Sequence, residues 1–139
     1  MRSDLDDLEQ VTVSLKEQAL EKHRQNLAES QRIASEIEQI DTLRSEAQND
    51  DDGLLARRAV GADTLWQSWL MRRRADLLRD AAMARAYEGE SLARARIAFS
   101  RAEATQSLVQ EEKAKRKYKT LQRYADQLDE LGTLRHPED

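Results

Sequence analysis

Cysteine is absent from the chain, so neither a disulfide nor a thiolate metal site can form. Proline occurs once and glycine four times, which leaves few positions able to break a helix. Aromatic residues make up 4% of the sequence, and large apolar side chains are too few to fill a compact core. No apolar run approaches the roughly 18 residues that a membrane span needs. The opening Met1-Arg2-Ser3-Asp4 leads into acidic residues and lacks the apolar stretch of a secretory signal. These absences predict a soluble protein of a reducing compartment, most simply the cytoplasm.

What is present is charge and helix-forming residues. Charged residues make up 36% of the 139-residue chain, and the strong helix formers Ala, Leu, Glu, Arg and Gln dominate the sequence. Such a mixture points to long helices or coiled coil. Disorder is the competing reading of so charged a chain, but the apolar positions keep helical spacing. The expected fold class is all-α: an antiparallel two-helix coiled-coil hairpin with a longer C-terminal helix, forming one domain over residues 1–139.

The net charge of −4 hides an asymmetry between segments. Residues 1–53 carry 6 Lys/Arg and 14 Asp/Glu, residues 54–125 carry 16 and 8, and residues 126–139 carry 1 and 5. An acidic arm beside a basic arm suits self-pairing within one chain. It disfavours nucleic acid as a partner, because the acidic arm cancels much of the attraction.

The first helix is expected over about residues 4–48, with Ser3 as its cap and acidic residues at its positive end. Leu5, Leu8, Thr12, Leu15 and Ala19 recur at three- and four-residue steps. After a phase shift the seam continues through Leu27, Ala34 and Ile37, with Ile33, Ile40, Leu43 and Ala47 beside it. The stop signal Gln48–Gly53 opens a turn region over about 49–63, with a short helical piece at 54–60. Thr64 and Gln67 have capping-box spacing, so the second helix is expected over about 64–134, closed by His136-Pro137.

At the predicted lengths the arms span about 70 Å and 105 Å. With the turn centred near residue 56, Ser3 falls beside about Val109. The helix beyond that point overhangs its partner. The overhang carries an apolar stripe of Tyr118, Leu121, Tyr124, Leu128 and Leu131 among Lys113, Lys115, Arg116, Lys117, Lys119 and Arg123. Glu111–Lys115 and Glu112–Arg116 have favourable i,i+4 spacing.

Catalytic motifs are missing. His23 and His136 stand apart with no metal-ligand spacing, and there is neither a phosphate loop nor a nucleophile elbow. The run Asn49–Gly53 lacks the ligand spacing of a calcium loop and reads as a solvated acidic turn. The expectation is a chain that is not an enzyme and has no cofactor or metal.

Other features invite weighing. Trp66 and Trp69 open the second helix and form either a plug for the tip or a partner hot spot. Arg72, Arg73 and Arg74 read as a face balancing the acidic arm. Ala81, Ala84, Ser91, Ala95, Ala98 and Ala102 are small residues at helical spacing, either a close-packed seam or simply good helix formers.

On these residues the chain resembles the FliJ/YscO-type stalk proteins of flagellar and injectisome type III export. The resemblance rests on the chain length, the two long helices, the polar turn, the Trp66, Trp69 and Leu70 cluster, and the basic stretch running into Asp129-Glu130. It implies a cytoplasmic protein peripheral to the membrane-embedded export apparatus, a monomeric rod when free and without membrane insertion.

The partners it implies are a hexameric export ATPase, the cytoplasmic domain of the export gate, and export chaperones. Leu5, Leu8, Tyr118, Leu121, Tyr124, Leu128 and Leu131 would bind the ATPase. Ile37, Ile40, Leu43, Trp66, Trp69 and Leu70 would bind the gate. The alternatives are a structural coiled-coil adaptor or oligomerisation module, and a small export chaperone.

Overall fold

The computed structural model describes residues 3–49 and 61–135. They form α1 (Asp4–Asn49) and α2 (Ala62–Arg135), 46 and 74 residues long, with no strand among the described residues. The chain is therefore all-α. The expected helical piece at 54–60, most of the turn region and the closing His136-Pro137 lie outside the described residues.

Ser3 caps α1 as its chemistry predicts. Its hydroxyl accepts from the Asp6 N–H at 3.2 Å, while its own N–H donates to the Asp6 carboxylate at 3.3 Å. This reciprocal pair satisfies free donors of the first turn. The Ser3 backbone N–H, the Ser3 hydroxyl, and Lys113 and Arg116 more weakly, hold the Asp6 carboxyl below its ordinary range.

The start of α2 departs from the capping box expected at Thr64. Gly61 has a φ of +72°, a left-handed conformation that side-chain-bearing residues rarely adopt. Its carbonyl accepts from the Leu65 N–H at 3.4 Å. The helix thus begins at Ala62, two residues before Thr64, because glycine can turn the backbone there without strain.

The chain divides into two units: residues up to Glu17 with those from Ile97 onward, and Gln18–Arg96. In the second unit α1 and α2 pack side by side. Apart from Leu20 and Glu36, which flank the seam, the less exposed residues of α1 here are Ala19, His23, Asn26, Ser30, Ile33, Ile37, Ile40, Arg44 and Ala47, in uninterrupted steps of four and three. Their counterparts on α2 are Asp63, Gln67, Leu70, Arg74, Leu77, Ala81, Ala84, Glu88, Ser91 and Ala95, with half-buried Trp66 beside them. Ile33, Ile40, Leu70, Leu77 and Ala84 form the core, with Ile37, Trp66 and Ala81 packed on it.

This seam corrects part of the sequence reading. Leu27, Ala34 and Leu43 are exposed, and the stutter is absent. A phase shift there would carry Ile33, Ile40 and Ala47 away from α2, so the seam keeps one phase and accepts polar residues instead. The small-residue seam on α2 is real: Ala84, Ser91 and Ala95 are buried and Ala81 half-buried.

Polar contacts join the two helices. His23 Nδ1 lies 2.7 Å from Ser91 Oγ, and Asn26 donates to the Tyr87 carbonyl at 3.2 Å. Arg73 meets Glu36 at 3.0 Å and Arg74 meets Asp41 at 2.8 Å. As the α1 partner moves from His23 to Glu36, the α2 partner moves back from Ser91 to Arg73. These ion pairs fit the reading of Arg73 and Arg74 as a face that balances the acidic arm.

In the first unit the covered positions of α1 are Leu5, Glu9, Thr12 and Lys16, flanked by half-buried Asp6 and Val13, and those of α2 are Ala98, Ala102, Thr105, Val109 and Glu112. Leu8 and Leu15 are exposed, again outside the seam. The Lys16 ammonium sits 5.6 Å from the Phe99 ring centroid, within cation–π range.

Candidate partner-docking surfaces

Glu112 is the last covered residue of α2. From Lys113 to Leu134 every residue is exposed. The expected overhang therefore exists, although cover extends from Val109 to Glu112, a little beyond the register read from the sequence.

Its apolar stripe is open to solvent. Tyr118 is 67% exposed, Leu121 59%, Tyr124 61%, Leu128 52% and Leu131 61%. Continuing the steps of four and three past Glu112 reaches Arg116, Lys119, Arg123, Asp126 and Glu130, all charged. The stripe lies one or two residues off that line, which turns it about 100–200° around the helix. An extension of α1 along its own seam would meet charge and not the stripe.

The segment is helical for local reasons. Arg116 Nε donates to Glu112 Oε1 at 3.3 Å, one of the two pairs that the spacing offers. Thr120 and Thr133 return their hydroxyls to the carbonyls of Arg116 and Asp129, each at 2.9 Å.

Of the other residues assigned to the same end, Leu5 is half-buried in the seam and Leu8 is exposed. Those assigned to the tip divide. Ile40 and Leu70 lie inside the core, and Ile37 and Trp66 pack against it. Leu43 and Trp69 remain exposed, Trp69 by 58%. The two tryptophans thus serve differently: Trp66 is part of the packing, and Trp69 is available to a partner. Leu65, on the same helix face one turn before Trp69, is more exposed still. Sequence reasoning left it out of the site, although its i,i+4 spacing to Trp69 marks it.

A recess of about 400 Å³ is lined by Lys22, Asn26, Tyr87, Glu90, Ser91 and Arg94, beside the His23–Ser91 contact. The Ser91 hydroxyl lies 3.1 Å from the Glu88 carbonyl and donates there. Its oxygen can then accept from His23 Nδ1–H, so that the two side chains pair across the seam. No cluster of metal-ligating side chains occurs among the described residues, and no described helix is long and apolar enough to cross a membrane. Comparison with known proteins finds no matching family model, no matching curated protein and no matching solved structure.

Proposed function

We propose that this chain is an antiparallel coiled-coil hairpin acting as the non-catalytic central stalk of a type III protein export apparatus. The exposed end of α2, with Leu8 beside it, enters the hexameric export ATPase and promotes its assembly. Trp69 and Leu43, in the Gln18–Arg96 unit, contact the cytoplasmic domain of the export gate. The stalk thereby couples ATP hydrolysis to export, in the cytoplasm and peripheral to the membrane-embedded machinery.

One observation carries the reading. The uncovered segment of α2 holds an apolar stripe that no described residue covers, rotated off the line of the seam. A stripe so placed suits a partner that surrounds the helix, with the flanking Lys and Arg keeping the free segment in solution.

The test is ATPase turnover and ring assembly measured against stalk concentration, using the export ATPase of the same genome. Truncation after Gln110 should abolish the stimulation while leaving the circular dichroism melt nearly unchanged. Leu121→Ala with Leu128→Ala should weaken stimulation in the same direction. Unaltered stimulation by the truncated chain would end the stalk reading. The adaptor alternative calls for a stable dimer by light scattering where the stalk is a monomer.

A further inference from the structure

The exposed end of α2 is divided by charge. From Lys113 to Arg123 it holds six bases and no acid, and from Tyr124 to Leu134 it holds three acids, Asp126, Asp129 and Glu130, and no base. Arg116 is held by Glu112, but no other base of the segment and none of its acids makes an ion pair among the described residues. Support of the helix by its own side chains does not explain the division, because acids and bases four residues apart would serve better.

The apolar and small residues make a second pattern. Ala114, Tyr118, Leu121, Ala125, Leu128 and Gly132 recur in steps of four and three, the spacing of one seam of a two-helix pair. Lys115, Gln122 and Asp129 run along one side of that line, and Lys117, Tyr124 and Leu131 along the other. All are exposed. The charged residues that continue the line facing α1 fall on the far side of the helix. A glycine within a helix is destabilising, and nothing lies within 4 Å of where a Gly132 Cβ would stand. Close approach of a second backbone gives that position a reason.

We propose that this stripe pairs antiparallel with the same stripe of a second copy of the chain. Tyr118 then lies beside Leu128 of the other copy, Leu121 beside Ala125 and Ala114 beside Gly132. On one flank Lys115 meets Asp129. On the other, Tyr124 meets its equivalent, and Leu131 covers the aliphatic stem of Lys117. The basic half of each copy runs along the acidic half of the other, whereas a parallel pair would set base against base. Glu112, where the cover of α1 ends, falls beside Leu134, so the pair forms without displacing α1. The contact is isologous and closes at two copies. One helix face of this length is smaller than a standard stable interface, so the dissociation constant is about 10–100 µM and dilution separates the pair. Pairing occupies the stripe that the stalk reading gives to the ATPase. That the pair is a shielded form of the stalk rests on that reading; the pairing itself does not.

Sedimentation velocity of the full chain from about 1 µM to about 1 mM reads the pairing. The mass should rise from one chain to two across the series, and rise less at high salt. Truncation after Gln110 should leave one chain throughout. Lys115→Glu and Asp129→Lys should each weaken the pair by about tenfold, and the two changes together should restore it, because the same contacts then form with their signs exchanged. Thr133→Cys adds a thiol to a chain that has none. Spin labels on it should stand roughly 30 Å apart in the antiparallel pair and side by side in a parallel one. One chain at every concentration, pairing that survives truncation, labels side by side, or a combined variant no better than its parents would overturn the proposal. Where the export ATPase is stimulated, Asp129→Lys, unpaired and with its stripe intact, should act at lower concentration than the parent chain. Where the parent chain pairs but does not stimulate, the stalk reading fails and the pairing stands.

Discussion

Leu77 and Leu121 lie in the same helix, yet one is 1% exposed and the other 59%. Truncation to alanine changes helix propensity equally at both, so the difference between the two variants reports packing alone. Leu77 belongs to the core with Ile33, Ile40, Leu70 and Ala84. Leu→Ala at such a site costs about 2–5 kcal/mol, depending on how far the surroundings collapse into the cavity. Collapse is poor here: Ala81 and Ala84 have no side-chain length to move, and Ile33 and Ile40 are stiff at χ1. Leu77→Ala should therefore avoid the low end of that range and cost roughly 3–4 kcal/mol. Leu121→Ala should stay within about 0.5 kcal/mol. In urea, followed by circular dichroism with a slope of about 2 kcal/mol/M, the Leu77 variant should lose roughly 1.5–2 M of midpoint. The Leu121 variant should be nearly unmoved. Equal costs at the two positions would mean that the exposed end of α2 is packed in solution, and the docking argument would lose its basis.

Trp66→Ala should lower the melting temperature, since truncating a packed tryptophan costs about 3–5 kcal/mol at full burial and less for a half-buried ring. Trp69→Ala should barely move the melt while weakening binding to the gate domain; the reverse order would reassign the two rings. Asp6 and Asp41 are both held below the usual carboxylate range, Asp6 chiefly by the Ser3 backbone N–H and Asp41 by its hydrogen bond from Arg74. Their stabilisation is complete above the unfolded value of about 3.9 and disappears as pH falls through the lower folded values. Melts at pH 7, 4 and 2.5 should decline over the last interval, by less in Asp6→Asn with Asp41→Asn; a decline already complete at pH 4 would refute the assignment.

Much of this was legible in the sequence because it depends on neighbours along the chain. Ser3 with Asp6 caps α1 through bonds that span three residues. The overhang was visible from arm lengths, and Trp66 and Trp69 stood out for their rarity. The seam was less legible. Leu8, Leu15, Leu27 and Leu43 attract attention as leucines, yet all are exposed. Polar His23, Asn26 and Ser30 occupy covered positions in their place. Local apolarity selects the residues that would prefer burial, whereas a continuous contact between helices selects one phase and holds it through polar positions.

The sequence by itself determined that the chain is helical, since scarce glycine and proline and abundant Ala, Leu, Glu and Arg leave the backbone no better local choice. It also determined the charge contrast between the arms and the presence of an apolar stripe beyond Glu112. The tertiary structure decided which faces of those helices are covered. Ile40, Leu70 and Trp66 went into the packing while Leu43 and Trp69 stayed outside it. The stripe of Tyr118 and Leu121 was turned away from the line of the seam. Helix formation is settled by each residue's own dihedral preferences and near neighbours. Which side of a helix is buried depends on the register with a second helix dozens of residues away, and only the packed chain fixes that.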